Sequence, residues 1–312
     1  MTSTQEQTPT SGQTPTPEQT PTRLVDPLHV SVTVEELKRA WAAVRSGQFR
    51  TGADATEATD AIGDIEDIGE PASSAAGLPW EPSPGEGVLP VIGCAGSCGA
   101  STLAVALATA AAAPARVLEC ASMATSGLAG ASTAELGRHE SGWIRGTRDG
   151  VLLERSSTVL ACVEQVPTPS RPDRPVGLSV LDVGWQIGQV LASTGWLGRQ
   201  VRGADLVVLV ATATVPGLRR LEYALALLAG TDACAAVIGP PRRRWPRPLR
   251  YAAGPLTESL EQAGRLIVIP PDRALAIAGL DTTALPSPLL DAAAALLRFS
   301  PTPQTTTKGS TP

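Results

Sequence analysis

Residues 94 to 102, CAGSCGAST, form a loop of small residues between an apolar run and a long Ala/Leu stretch. A strand, a glycine-rich turn and a helix in this order can cradle phosphate, because backbone N–H groups and a helix N-terminus then face the anion. Such loops follow the pattern G-x-x-x-x-G-K-[ST]. Here Gly99 and Ser101 fit the second glycine and the hydroxyl, whereas Cys94 replaces the first glycine and Ala100 replaces the lysine. The sequence therefore predicts a phosphate-binding loop that lacks its lysine.

The expected ligand is ATP or ADP with Mg²⁺. Magnesium would be held by the Ser101 hydroxyl and by an acid at the end of a neighbouring strand, which is Asp182 in LSVLDV. Asp182 could instead cap the helix that follows, and Glu119, in RVLEC, is a second acid at the same edge. The residues expected to contact nucleotide are Gly96, Ser97, Cys98, Gly99, Ala100, Ser101 and Thr102.

Composition and spacing argue against other kinds of site. Cys94 and Cys98 have no second pair or nearby histidine to complete four metal ligands. His29 and His139 are isolated, so a Ser–His–Asp triad has no support from spacing. An odd number of cysteines, five, is typical of a reduced intracellular protein. The N-terminus has no apolar signal segment and the Ala-rich run is too short to span a bilayer, so we expect a soluble, cytoplasmic protein.

Apolar runs alternate with helical patterns from residue 88 to about residue 300. This rhythm predicts an α/β domain of the P-loop NTPase type, with a mostly parallel sheet flanked by helices. Asp149-Gly150 between two short apolar segments predicts a hairpin insertion. The expected strands are 88–93, 116–120, 151–155, 178–183, 206–212, 234–238 and 265–269, and the expected helices are 101–112, 186–198, 215–229, 255–263 and 286–298.

Residues 1–87 are expected to be a disordered acidic leader with one amphipathic helix. The leader holds 14 acidic and 5 basic residues, and its QTPT repeats predict an extended spacer or, alternatively, Thr-Pro phosphorylation sites. A capping box precedes helix 34–45, whose apolar face either packs on the main domain or docks a protein partner. That face consists of Val34, Leu37, Trp41 and Val44. The main domain spans 88–300, and a disordered tail spans 301–312.

Taken together, these motifs resemble the ParA/MinD group of P-loop ATPases over residues 88–300. The order of strand, phosphate loop and helix, then a strand ending in an acid, then a strand ending in Asp-x-Gly, agrees with that group. The segments LVVLVATATVPGLRRLEYAL and RLIVIPPDRALAIAGL are also similar to it. The chain further resembles an actinobacterial set of degenerate P-loop proteins with a GLDTTALP-like ending. The resemblance implies a nucleotide-binding fold and non-specific DNA as a partner, and a homodimer is one candidate assembly.

The loop departs from the group's pattern K-G-G-x-G-K-[ST]-T, because Ala95 and Ala100 replace both lysines. A charged hydrogen bond contributes about 1.5–3 kcal/mol, so each loss should lower phosphate affinity roughly ten- to a hundred-fold. A cationic finger can supply about 10³–10⁵ in rate, so efficient ATP hydrolysis is not expected. An arginine could substitute, and the nearest in sequence to the predicted edge are Arg116, Arg145, Arg148 and Arg155.

Three functions therefore stay open. The first is a ParA/MinD-like protein with weak or partner-dependent nucleotide binding and a regulatory or scaffolding role in plasmid or chromosome partition or in DNA transfer. The second is an interaction module that binds no nucleotide and docks partners through helix 34–45. The third is a residual ATPase rescued by an arginine.

The segment PPRRRWPRPLRY, residues 240–251, is the most concentrated basic patch of the chain. Basic and aromatic side chains together are what a nucleic-acid surface needs for phosphate neutralisation and stacking. The alternative is a solvated, proline-stiffened loop whose arginines pair with the acidic leader. A third possibility is that the acidic leader inhibits this patch. The residues of this basic patch are Arg242, Arg243, Arg244, Trp245, Arg247 and Arg250.

Overall fold

A computed structural model describes residues 79–300 of the 312-residue chain. Helix 34–45 and the tail 301–312 lie outside the described residues, as does most of the leader, and what the sequence predicts for them stays a prediction.

The described residues form nine strands, eight α-helices and three short 3₁₀ helices. In chain order they are β1 (Gly87–Gly93), α1 (Ala100–Ala110), β2 (Ala115–Glu119), a 3₁₀ turn (Met123–Thr125), β3 (Ala134–Arg138), β4 (Trp143–Arg148), β5 (Val151–Ser156), a 3₁₀ turn (Val163–Gln165), β6 (Leu178–Asp182), α2 (Ile187–Ala192), α3 (Trp196–Arg202), β7 (Val207–Thr212), α4 (Val215–Leu227), β8 (Ala233–Ile238), a 3₁₀ turn (Arg242–Arg244), α5 (Arg247–Ala252), α6 (Pro255–Gln262), β9 (Leu266–Ile269), α7 (Arg273–Ala278) and α8 (Ser287–Leu297).

All nine of these strands belong to one sheet, in the order β3-β4-β5-β2-β6-β1-β7-β8-β9. Within the sheet, β4 runs against its neighbours β3 and β5, and the other pairings are parallel. The chain moves from β1 to β2 on one side and from β6 to β7 on the other. Strand order therefore reverses around β1, which is where ligands bind in open α/β sheets. The predicted α/β fold with a mostly parallel sheet is confirmed.

Helices cover both faces of the sheet, which explains why its central strands are mostly apolar. Buried residues of α1 and α8, such as Leu103 and Leu296, belong to one core cluster. Buried residues of α2, α3 and α4, such as Val190, Leu197 and Leu218, belong to the other. Trp80 packs into this second cluster, edge-on to Trp196 at a ring separation of 5.3 Å.

The prediction of a single helix over 186–198 is wrong. Helix α2 ends at Ala192 and α3 begins at Trp196. In the break, the Ser193 hydroxyl accepts a hydrogen bond from the Gly195 backbone N–H at 3.1 Å. The Arg202 guanidinium donates at 2.8 Å to the carbonyl of Ser193 and to that of Leu191. Serine and glycine thus end one helix and begin the next, while the arginine satisfies the free carbonyls.

The predicted hairpin is confirmed, since β4 and β5 pair antiparallel around Asp149 and Gly150. Both turn residues have positive φ, 49° and 82°, as a tight hairpin turn requires. Strand β3, which pairs with β4 at the edge of the sheet, is not among the predicted strands. Its sequence AELGR is exposed at all five positions and so carries no apolar run.

Candidate functional site

The loop between β1 and α1 has the backbone form of an anion cradle. Ser97 has φ 55° and Gly99 has φ 90°, so two left-handed residues bend the chain within three positions. Within the described residues, none of the backbone N–H groups from residue 95 to residue 102 donates to a backbone carbonyl. Helix α1 begins directly after Gly99 with no side-chain cap and no acid in its first turn. The loop therefore presents N–H groups without backbone acceptors and the positive end of a helix dipole, although the N–H groups of Ala95, Cys98 and Ala100 face the Cys98 sulfur.

The structure explains which glycine of the motif is kept. A side chain on Gly99 would adopt a disfavoured left-handed conformation, and its Cβ would lie 2.5 Å from the Ile238 Cδ1 atom. Cys94, at the first glycine position, has no positive φ. Its N–H continues the sheet by donating to the Val210 carbonyl at 2.8 Å. A side chain is therefore tolerated at residue 94 but not at residue 99.

Cys98 supports the loop from within. It is buried, and its sulfur would lie 2.9 Å from a Cβ placed on Gly93. Burial raises the pKa of the Cys98 thiol, although the N–H groups of Ala95, Ala100 and Cys98 itself oppose this shift. Burial and the neighbouring Cys98 raise the pKa of Cys94 to about 12. Both thiols are thus neutral packing groups near pH 7, and the described residues contain no group of three or more histidine, cysteine or acidic residues that could hold a metal ion.

Asp182 lies at the carboxyl end of β6 and is almost fully buried, with 1% of its surface exposed. Burial, followed by the nearby Glu119, raises the pKa of Asp182 to about 7, while a hydrogen bond from the Ser101 hydroxyl opposes the shift. Its Oδ2 atom has no hydrogen-bond partner within the described residues. A buried carboxylate oxygen without a partner is costly unless a ligand satisfies it. Ser101 and Asp182 therefore lie near each other at this edge of the sheet, and their role as magnesium ligands stays a prediction.

Glu119 lies beside Asp182, because the two residues are paired in the register of β2 and β6. Its carboxylate accepts hydrogen bonds from the Ser126 hydroxyl at 2.6 Å and from the N–H groups of Gly127 at 2.5 Å and Leu128 at 3.1 Å. The loop held in this way lies against Ser101, since a Cβ on Gly127 would approach the Ser101 Oγ atom to 2.7 Å. Glu119 thus holds a loop over the site rather than offering its oxygens to a cation.

These residues fit a hydrated Mg²⁺ in part. Ser101 and Asp182 supply hard oxygen ligands, and the unpartnered Asp182 Oδ2 atom is free to bind a cation. The loop amides fit phosphate, but the loop itself carries no cation. Both lysines of the chain, Lys38 and Lys308, lie outside the described residues.

The four arginines considered as substitutes are all engaged elsewhere. Arg116 and Arg145 form a buried ion-pair network with Glu154. Arg148 donates to backbone carbonyls of Ala131, Asp281 and Thr283.

Arg155 does lie at the carboxyl edge, level with Glu119, but its guanidinium binds both oxygens of Glu135 at 3.0 Å. The contacts of these four side chains therefore argue against an arginine rescue by any of them.

The predicted basic patch divides into two parts. Trp245 is buried, with 1% exposed, and its indole donates to the Pro240 carbonyl at 2.7 Å. Arg242 binds Glu261 through two hydrogen bonds and stacks over the Trp245 ring at 4.3 Å. These two residues are structural, which corrects their assignment to a nucleic-acid surface. The exposed members are Arg243, Arg244, Arg247 and Arg250.

A cleft beside the loop contains residues that sequence reasoning did not single out. It has a volume of about 210 Å³ and opens between the end of β1, the start of α2 and the middle of α4. Its polar members are Gln186, Arg220 and Tyr223. The Arg219-Arg220 pair was visible in the segment that resembles the ParA/MinD group. The sequence does not say, however, which of two adjacent arginines faces the loop.

No helix in residues 79–300 is long and apolar enough to cross a membrane. No family model matches the chain, and no curated protein matches it.

Among solved structures, the chain is similar to a plasmid partition protein from Borrelia burgdorferi bound to AMPPNP, with 13% identity, a TM-score of 0.41, and coverage of 69% of this chain and 97% of that chain. It is similar to a ParA family ATPase from Chlorobium tepidum, with 13% identity, a TM-score of 0.38, and coverage of 67% and 97%. It is also similar to the cell division ATPase MinD from Pyrococcus furiosus, with 14% identity, a TM-score of 0.44, and coverage of 68% and 98%.

Proposed function

We propose that this chain is a ParA/MinD-like protein that binds a magnesium nucleotide weakly or with the help of a partner. It acts as a regulatory or scaffolding component in plasmid or chromosome partition or in DNA transfer, rather than as an efficient ATPase. The observation that carries the proposal is the loop segment 95–102, whose backbone N–H groups make no backbone hydrogen bond, next to the unpartnered Asp182.

These contacts suggest a separate role for each group of residues. Loop amides and the N-terminus of α1 would hold the phosphates, while Ser101 and Asp182 would hold Mg²⁺. When bound, the cation neutralises phosphate charge. Because Ala95 and Ala100 carry no charge, the loop itself offers the phosphates only neutral donors and lacks the lysine that speeds hydrolysis. A homodimer or a protein partner could supply the missing cation.

Titration of the full chain with Mg-ATP and Mg-ADP tests this proposal by calorimetry. Gly96 is the best position for a disruptive variant, because a Cβ there would meet nothing within 4 Å. Gly96→Asp places a negative charge beside the cradle, and Gly96→Ala is the matched control with no charge. We expect micromolar to millimolar affinity that Gly96→Asp abolishes and Gly96→Ala preserves. A wild-type chain without binding at millimolar nucleotide would overturn the proposal and favour an interaction module that docks through helix 34–45.

A second function, non-specific DNA binding, is supported by the exposed part of the basic patch. Arg243, Arg244 and Arg247 are exposed and form no salt bridge within the described residues. Tyr251 beside them is 73% exposed, and its hydroxyl contacts only Arg247 there. Charged side chains and an exposed ring suit phosphate contacts and stacking.

Salt dependence of duplex binding tests this second function. Replacing Arg243, Arg244 and Arg247 with alanine should reduce the slope of log affinity against log salt by about 2–3, since each phosphate contact contributes about 0.9. The control replaces three other exposed arginines, which are Arg138, Arg171 and Arg174. Equal losses in both triple variants would show that net charge, rather than this patch, governs binding.

A further inference from the structure

The cleft beside the loop is bounded by the loop's own first residue. Gly93 and Cys94 form one wall, Gln186 and Gly188 at the start of α2 form the second, and Arg220 of α4 lies across from them. Ala95, where the ParA/MinD group has its first lysine, directly follows Cys94. The cleft therefore opens at the end of the loop where a positive charge is missing.

Arg220 is free to bind an anion. It is exposed, and within residues 79–300 it forms no salt bridge and no side-chain hydrogen bond. The adjacent acid on α4, Glu222, is occupied: its carboxylate accepts from the N–H groups of Leu256 and Thr257 at 2.8 Å and 2.9 Å. Arg220 thus differs from the four buried or paired arginines near the sheet, because its guanidinium has no internal acceptor.

Neutral donors surround this arginine. The side chain of Gln186 is exposed and has no hydrogen-bond partner in the described part of the chain. The Tyr223 hydroxyl is 3.9 Å from the position of a Cβ on Gly188, which places the phenol of α4 beside the start of α2. One guanidinium, one amide and one phenol without internal partners thus share a single small cavity.

The size of the cleft selects the ligand. Its volume of about 210 Å³ is below the range of about 300–1,000 Å³ that is usual for drug-sized ligands. A single phosphate group fits such a space. Arginine also binds phosphate oxygens through two parallel N–H groups, which neither alanine of the loop can do.

We infer that Arg220, with Gln186 and Tyr223 beside it, takes the terminal phosphate of a nucleoside triphosphate whose inner phosphates lie in the loop. The arginine then provides, from α4, the positive charge that Ala95 and Ala100 lack. This inference rests on the proposed nucleotide binding, and it adds that the chain distinguishes triphosphate from diphosphate.

Comparison of Arg220→Ala with Arg219→Ala tests this role in the full chain. Both positions are exposed on α4 and both substitutions remove one charge, but Arg219 does not line the cleft. We expect Arg220→Ala to weaken Mg-ATP binding by about ten-fold or more and Mg-ADP binding by less than about three-fold. Arg219→Ala should leave both affinities within about two-fold of wild type, and Arg220→Lys should recover part of the loss.

Gly188→Leu provides a second test that keeps every charge. Leucine favours helix more than glycine does, and its side chain would fill the cleft. It should weaken Mg-ATP binding while leaving Mg-ADP binding and the melting temperature near wild type. Equal effects of Arg220→Ala and Arg219→Ala, or equal losses for ATP and ADP, would overturn the inference. If Gly96→Asp still abolished binding in that case, the proposed function would stand, whereas a wild-type chain that binds neither nucleotide would overturn both.

Discussion

Strands β2 and β6 place Arg116 opposite Ser179 at one end and Glu119 opposite Asp182 at the other. Three residues, or about 10 Å of strand, separate the two pairs. At the first end every charge has a partner: Arg116 binds Glu86 at 2.7 Å, Glu154 at 3.1 Å and Ser179 at 2.6 Å. At the second end Asp182 keeps an oxygen without a partner, and its pKa is raised to about 7.

The difference separates a structural polar cluster from a ligand site. Buried charges that are fully paired hold strands in register, because removing either partner leaves an uncompensated charge. Buried polar groups without partners are rare in folded proteins and cost free energy until something binds them. The same two strands thus carry a fully paired ion network at one end and, at the other end, a carboxylate oxygen that a ligand could bind.

Breaking the paired end should have the largest effect on stability. Glu154 accepts from Arg145 Nε at 2.9 Å and from Arg116 Nη1 at 3.1 Å, and both Glu154 oxygens are fully buried. Glu154→Gln keeps the shape but leaves two guanidinium groups with one buried acid, Glu86, because the other remaining acid, Asp173 at 3.5 Å from Arg145, is exposed. We expect the free energy of unfolding to fall by about 3–5 kcal/mol, measured by chemical denaturation. The melting temperature should fall by roughly 6–20 °C.

Glu135→Gln is the matched control for that variant. It also removes a carboxylate bound to arginine, but the Glu135 side chain is 48% exposed and the Arg155–Glu135 pair lies at the edge strand β3. An exposed pair contributes about 0–1 kcal/mol. If the free energy of unfolding fell by a similar amount in Glu154→Gln and Glu135→Gln, burial would not distinguish the ion network from a surface pair.

Much of the fold could be predicted because apolar runs and loop chemistry carry strong local signals. Strands such as β7 and β8 are apolar throughout, and Asp149-Gly150 fixes a hairpin. Strand β3 could not be predicted, since its five exposed residues join the sheet only through pairing with β4. The break between α2 and α3 depends on contacts of Ser193 that a helical period does not reveal.

The site was predictable at the level of the loop but not of its surroundings. The positions of Gly99, Ser101 and Asp182 follow from motif and strand ends. Trp245 is held by a hydrogen bond to Pro240, and Arg242 is held by Glu261. Glu261 lies in α6, 19 residues after Arg242, so the sequence does not reveal this contact. The choice of Arg220 over Arg219 depends on how α4 is rotated against α2, which only the packing decides.

Removing the charge of Asp182 should change the free energy of unfolding less than Glu154→Gln does, and should raise it rather than lower it. Between about pH 4 and pH 7 the folded protein holds the Asp182 proton more tightly than the unfolded chain does, because its pKa is raised to about 7. The free energy of unfolding therefore falls as pH rises through this window and stays at the lower level above it.

Asp182→Asn cannot titrate, so it should be more stable than wild type at pH 8, by about 1–3 kcal/mol, and nearly equal to it at pH 4.5. Chemical denaturation in EDTA at both pH values measures this difference. Burial also raises the pKa of Glu119, which gives both proteins a slope of the same sign, so the difference between them reports Asp182 together with its coupling to Glu119. Mg²⁺ at pH 8 should stabilise the wild type more than the variant, because only the wild type offers a buried carboxylate to the cation. If the free energies of unfolding of the two proteins changed equally with pH, with or without Mg²⁺, the Asp182 charge would be as well paired as the charges around Arg116.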